Sequence, residues 1–202
     1  MEKHEEEKIK IGYQGIEGSN TFKCAQSMAK KLGLRHYELL PLVNSQNVVD
    51  ALIHKEIIYG VLAIQNNYAG PVQESQDAIK DIPLETVLSE QMPIHHAAFK
   101  KNKKTRNLAI DLVVSHEQAL KQCFLSIKKL FPNATLQAIE DTAIGAKDLA
   151  EGKYGFRTAV ICSSSAGGKY KLWMEKAQIQ DHKDNTTEFQ MFKISDSVEK
   201  IN

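Results

Sequence analysis

The chain has no apolar run approaching the length of a membrane-spanning helix, so an integral membrane protein is not expected. Its first residues, Met1-Glu2-Lys3-His4-Glu5-Glu6-Glu7-Lys8, are charged and have no signal-like apolar segment. Cysteine is scarce. Cys24, Cys123 and Cys162 are odd in number and far apart, with neither zinc spacing nor a disulfide frame. They read as reduced thiols of a cytoplasmic protein. Charge of one sign is also missing: the net charge is +1, which argues against a nucleic-acid partner. Several chemistry-bearing patterns are absent as well. There is no GxGxxG, Gly167-Gly168-Lys169 lacks P-loop spacing, and His116-Glu117 has no second histidine for a zinc-protease motif. His95 and His96 are adjacent in an extended stretch, so they face opposite ways and make a poor ligand pair. A metal site is not expected from these residues.

What is present is ordinary soluble composition, 42% hydrophobic and 25% charged over 202 residues, enough for one full core or two small lobes. Short apolar runs alternate with helical patterns. Residues 9–13, 39–42, 59–64, 112–114, 135–139 and 158–162 read as strands, and 189–194 alternate as a last one. Helices are predicted from about Asn20, Ser45, Pro71 and Asp141, with one long helix from Ser115 to about Leu130. Residues 84–99 form a broken extended segment. This is an α/β pattern, expected to be mainly parallel.

Hydroxyl-bearing residues stand where helices begin: Ser19, Ser115, Thr142 and Ser163, with Ser115 and Gln118 at capping-box spacing. The buried run 59–64 ends abruptly in Gln65-Asn66-Asn67, at the strand end where open α/β sheets bind ligands. Asp184-Asn185-Thr186-Thr187-Glu188 precedes the last strand, whose backbone would hold Thr186, Thr187 and Glu188 firmly. Amide-rich helix starts on two halves of a chain suit a small anionic ligand. The expected division is 9–92 with 184–202 as one lobe and 104–180 as the other, after a charged tail at 1–8, together one catalytic-type domain.

These motifs, in this order, resemble the prephenate dehydratase family over residues 9–194. Gly15-Ile16-Glu17-Gly18-Ser19 resembles its N-terminal glycine turn, and Gln65-Asn66-Asn67 stands for Glu-Asn-Ser. Ser115-His116-Glu117-Gln118-Ala119-Leu120-Lys121-Gln122-Cys123 is similar to Ser-His-Pro-Gln-Ala-Leu-x-Gln-Cys. Asp141-Thr142-Ala143 stands for Ser-Thr-Ala, Ser163 closes a match to Ala-Ala-Ile-Ala-Ser, and Asn185-Thr186-Thr187-Glu188-Phe189 stands for Asn-x-Thr-Arg-Phe. The resemblance implies a two-lobed fold like type II periplasmic binding proteins. It implies loss of water and carbon dioxide from prephenate to give phenylpyruvate, in a cytoplasmic homodimer without a cofactor. Thr187 maps onto the family's threonine, which assists departure of the ring hydroxyl. Glu17, Ser19, Gln65, Asn66, Asn67, Ser115, His116, Gln118, Ala119, Thr142, Ser163, Asn185, Thr186, Glu188 and Phe189 are the candidate substrate contacts.

The chain departs from the pattern at Glu188, where the family has an arginine that holds a substrate carboxylate. With Glu188 in the cleft, a lost attraction and a new repulsion would cost about 2–5 kcal/mol. The ligand's countercharge is then expected from Lys23 or Lys169. The ACT domain typical of the family is not expected to follow residue 202. Two other readings compete: a prephenate-using relative such as a decarboxylase, and a non-catalytic binder of small anions.

Overall fold

The computed structural model describes residues 8–195. Its strands form two sheets. The first contains β1 (Ile9–Tyr13), β2 (Tyr37–Pro41), β3 (Tyr59–Asn66), β4 (Gly70–Pro71), β5 (Leu84–Pro93) and, from the far end of the chain, β11 (Thr186–Ile194). Its order is β2-β1-β3-β11-β5, with β4 paired to β3. The second contains β6 (Ala97–Lys100), β7 (Leu112–Ser115), β8 (Thr135–Ala138), β9 (Thr158–Cys162) and β10 (Trp173–Lys176), in the order β10-β6-β9-β7-β8. Both sheets are mixed where the sequence suggested mainly parallel ones: β1–β2, β1–β3, β7–β8 and β7–β9 are parallel, while every pair made by β4, β5, β6, β10 or β11 is antiparallel. The reason is topological. The chain crosses between sheets once after Pro93 and returns once before Thr186, and each crossing strand enters its sheet against the grain.

The return strand is held by its alternation. Phe189 and Met191 pack with Ile11, Tyr13, Cys24, Ala25 and Met28 beneath α1 (Asn20–Lys31). Phe192 turns to the other face, onto Val48, Val49, Leu52 and Leu62 under α2 (Ser45–Ile53). Sandwiching a strand this way buries large side chains on both faces, each worth about 1.5–3 kcal/mol of transfer. In the second sheet every residue of β9 is buried, as befits a central strand covered on both sides.

The remaining helices are α3 (Gln73–Ile79), α4 (Glu117–Gln122), α5 (Phe124–Leu130), α6 (Thr142–Glu151) and α7 (Ser164–Lys169). Ser19 caps α1 and Ser163 caps α7 as expected. Two caps fall one residue away from the predicted ones. The Ser115 hydroxyl donates to Ile161 O at 2.6 Å across the sheet, so His116 caps α4 in its place. Asp141, not Thr142, caps α6, its Oδ1 accepting from the amides of Ala143 and Ile144. The single helix predicted over 115–130 is broken at Cys123, because Asp181 accepts from Leu125 N and Ser126 N (both 2.9 Å) and starts a new helix there.

Candidate active site

A cavity lies between the two sheets, at the ends of β3 and β11 on one side and of β7 on the other. The α1 start contributes Ser19, Asn20 and Thr21. Ser19 Oγ accepts from Phe22 N, and the amides of Asn20 and Thr21 precede the first helical hydrogen bond, leaving them open to a ligand. Opposite stand His116, Gln118 and Ala119 of the α4 start, and Glu140, Asp141 and Thr142 of the α6 start. The floor is Ala63, Val72, Ile94 and Phe189, an apolar base suited to a ring.

Thr187 is set into this cavity by a chain of amides whose orientation follows from the backbone. Asn66 is buried, and its Oδ1 accepts from Tyr68 N at 2.9 Å and Ala69 N at 2.8 Å. Its Nδ2 therefore faces away and donates to Asn185 Oδ1 (2.7 Å), Thr186 O (2.8 Å) and Thr187 Oγ1 (3.0 Å). With a lone pair of Thr187 engaged, its hydroxyl hydrogen is free for a ligand. Asn185 Nδ2 in turn donates to Gln122 Oε1 at 2.8 Å, which also accepts from His96 Nε2 at 2.7 Å. An acceptor facing Nε2 places the imidazole hydrogen there and leaves Nδ1 bare, without a partner among the described residues.

Burial pushes the His96 pKa down to about 4, so the ring is neutral at physiological pH. A histidine whose folded pKa lies below its ordinary 6.5 takes up its proton first in the unfolded chain. Stability is therefore lost as pH falls from about 6.5 toward 4. His96 should account for about 2 kcal/mol of stability lost between pH 7 and pH 5. Urea unfolding of the wild type and His96→Gln at both pH values checks this: the variant should show a smaller pH dependence by that amount.

The cavity's formal charges are acidic. Glu140 and Asp141 line it, and Glu74 stands just behind, accepting from Gln14 Nε2 at 3.2 Å and Ser45 N at 2.7 Å and lying 3.9 Å from His116 Nε2. Burial alone would raise the Glu74 pKa, but its hydrogen bonds and His116 hold it below the ordinary range. Burial raises that of Asp141, against the pull of its two amides. Among the described residues no lysine or arginine lines the cavity. The countercharge expected from Lys169 goes elsewhere, to Glu17 at 2.6 Å, and Lys23 is half-buried outside the lining.

Of the residues singled out in the sequence, Thr187, Ser19, Asn66, His116, Gln118, Ala119, Thr142 and Phe189 meet at the cavity, while Asn185 lies behind it. Others do not reach it. Ser115 and Ser163 spend their hydroxyls on Ile161 O and Gly18 O. Gln65, Asn67 and Glu17 are exposed. Thr186 donates its amide to Asn67 Oδ1 at the rim. Glu188 requires correction. Thr187 and Phe189 face the cavity, so the residue between them points to the opposite face, where Glu188 Oε1 accepts from Gln190 Nε2 at 2.7 Å. It neither holds nor repels a ligand in the cavity directly. Glu188→Arg should accordingly change substrate affinity and turnover by less than about threefold, roughly 0.7 kcal/mol. If Glu188 faced the ligand as the sequence suggested, steady-state kinetics of the two proteins would show a gain of at least about tenfold. Asp141, the acid that the sequence adds to the cleft, does line it, whereas sequence reasoning missed His96, Gln122 and Gln14. Gln122 was within reach, since it sits inside a matched motif.

The family described as Prephenate dehydratase matches residues 11–196. Arogenate dehydratase 1 of Petunia hybrida is 29% identical over 183 residues, covering 91% of this chain and 42% of the relative, so the chain spans less than half that protein's length. The crystal structure of a prephenate dehydratase from Arthrobacter aurescens, solved with L-Phe, superposes with a TM-score of 0.76 at 21% identity, over 93% of this chain and 61% of that one. The substrate-binding protein of a methionine transporter from Streptococcus pneumoniae shares the two-sheet fold (TM-score 0.52, 12% identity, 96% and 83% of the two chains).

Proposed function

The chain belongs to the prephenate dehydratase family, and from that premise we propose that it dehydrates and decarboxylates a prephenate-type cyclohexadienol acid, with Thr187 as its catalytic residue. The observation that carries this is the Thr187 hydroxyl, which lines the cavity and accepts from Asn66 Nδ2, so that its own hydrogen is left to donate. In the reaction the ring carboxylate leaves as carbon dioxide and its bonding electrons enter the ring. The ring hydroxyl leaves from the far side, takes a proton and becomes water, and the ring becomes aromatic. A threonine is a poor acid in water, so Thr187 acts through placement: its hydroxyl donates to the departing oxygen as negative charge builds there. Ala63, Val72, Ile94 and Phe189 hold the ring and keep water out. The open amides of Asn20 and Thr21 seat a carboxylate. Ser19, His116, Gln118, Ala119 and Thr142 complete the contacts. Neutral His96 and Gln122 orient the amides behind Thr187.

The two lobes are assigned to 9–92 with 184–202, of which 196–202 lie outside the described residues, and to 104–180; the membership of the two sheets supports the division, with β6 (Ala97–Lys100) added to the second lobe. Among the described residues no helix is long and apolar enough to cross a membrane. A cytoplasmic homodimer is the assembly the family resemblance supports, and light scattering tests the dimer. Two acids fit the chemistry. Prephenate carries a keto group on its side chain, and arogenate, the compound named for the petunia relative, carries an ammonium group there. Incubating the protein with each, and following products by ultraviolet absorbance and mass, tests the reading. Phenylpyruvate from prephenate or phenylalanine from arogenate supports it. Recovery of both acids unchanged, or of a decarboxylated product that keeps its hydroxyl, overturns it.

A further inference from the structure

We propose that Asp141 is the counter-ion of a ligand ammonium group, and that it makes this site select the α-amino acid over the corresponding α-keto acid. The proposal rests on the dehydratase reading only for the ring that accompanies the ammonium.

Asp141 stands where the motif it resembles has serine. The exchange alters the α6 start in two ways. Asp141 Oδ1 occupies the amides of Ala143 and Ile144 at 2.7 and 2.9 Å, so a resident carboxylate already sits where a ligand anion would be drawn. Both of these bonds go to Oδ1, and the second oxygen, Oδ2, makes no hydrogen bond among the described residues; the residue is 9% exposed and lines the cavity. Oδ2 faces the turn after β1. Gly15 there has φ +89°, and a Cβ on it would lie 2.5 Å from Asp141 Oδ2 and 3.0 Å from Ser19 Oγ. Only the bare glycine leaves the carboxylate room at that wall.

Two buried acceptors at the same cavity, Gln118 Oε1 and His96 Nδ1, lack partners among the described residues. The Gln118 amide nitrogen is committed to Pro71 O at 3.2 Å, and the His96 hydrogen to Gln122. Bare acceptors, two acidic side chains in the lining and no lysine or arginine among the described lining residues do not suit an incoming dianion. They suit a group with several hydrogens and a positive charge. A primary ammonium supplies three donors, and the open amides of α1 take the neighbouring carboxylate of the same amino acid. A keto oxygen at this place would meet a carboxylate with nothing to donate.

Isothermal titration of the full chain with L-phenylalanine and with phenylpyruvate tests the inference without turnover, since the two differ only in ammonium against carbonyl. The wild type should bind L-phenylalanine tighter by on the order of thirtyfold, the low end for a desolvated charge pair. Asp141→Asn keeps the side-chain oxygen that caps α6 and should abolish the preference, with circular dichroism unchanged. Asp141→Ser should move kcat/KM toward prephenate relative to arogenate. Equal or better binding of phenylpyruvate by the wild type, binding of neither, or a preference that survives Asp141→Asn overturns the proposal. The two readings fail separately. An amino-acid preference without dehydration of either acid removes the dehydratase reading and keeps Asp141 as the ammonium seat. Dehydration of both acids with equal efficiency does the reverse.

Discussion

Thr187→Ala is expected to lower kcat/KM for dehydration by about a hundred- to ten-thousandfold, the range for losing a positioned proton donor. Thr187→Ser, which keeps the hydroxyl but not the methyl, should retain most of the activity. The size follows from placement. Thr187 is only 6% exposed, lies on a strand paired with Asn66 on one side and Met92 on the other, and cannot shift to compensate. Its hydroxyl contributes in the transition state, when the departing oxygen becomes charged, so kcat should fall far more than KM rises. Folding should be little affected, because Asn66 Nδ2 still has Asn185 Oδ1 and Thr186 O as acceptors. Comparable kcat in the wild type and Thr187→Ala, with the fold shown intact by circular dichroism, would remove Thr187 from the chemistry.

Asn66→Ala is expected to cost both stability and activity. Its side chain joins the chain segment after β3 to the start of β11. Removing it strands the amides of Tyr68 and Ala69 and takes a donor from Asn185, Thr186 and Thr187. Buried groups left without partners cost about 1–3 kcal/mol each, and water entering the space recovers part of that. A loss of about 3–5 kcal/mol is expected, read as a fall of roughly 6–20 °C in Tm. The activity effect is separable from the stability effect. At a temperature where the variant is fully folded, kcat should still be reduced at least tenfold, because Thr187 Oγ1 then loses the donor that positions it. A variant as stable as the wild type would show that the amide chain does not support the site.

The α/β class, the strand at 59–64 (which the structure extends to Asn66), the glycine turn before Ser19 and the threonine at 187 were all readable along the chain. Each depends on neighbours in sequence: an apolar period, a turn needing glycine, a motif of contiguous residues. The helix break at Cys123 was not readable. It is made by Asp181, more than fifty residues away, taking the amides of Leu125 and Ser126. His116 displaced Ser115 as a cap for a similar reason, since the serine found a carbonyl on β9 that no local pattern announces.

The site divides in the same way. Residue types at matched motifs brought Thr187, Asn66, His116, Gln118 and Thr142 forward from sequence alone. The sense of Glu188 came from strand parity and pairing: β11 lies between β3 and β5, and with Thr187 turned to the cavity its neighbour must face the other side. His96 was set aside in the sequence as a poor metal ligand, and it enters the site only because Asn185 and Gln122, distant in sequence, meet at its ring. Asp141 was visible as a departure from a motif. Its free oxygen was not, because a carboxylate's lone pairs are assigned by what surrounds them. Sequence by itself determined which groups this protein has for chemistry, since residue type and local period are properties of the chain. Only the tertiary structure decided which of them face one another and which charge goes unanswered, because hydrogen bonds and burial are made between segments far apart in sequence.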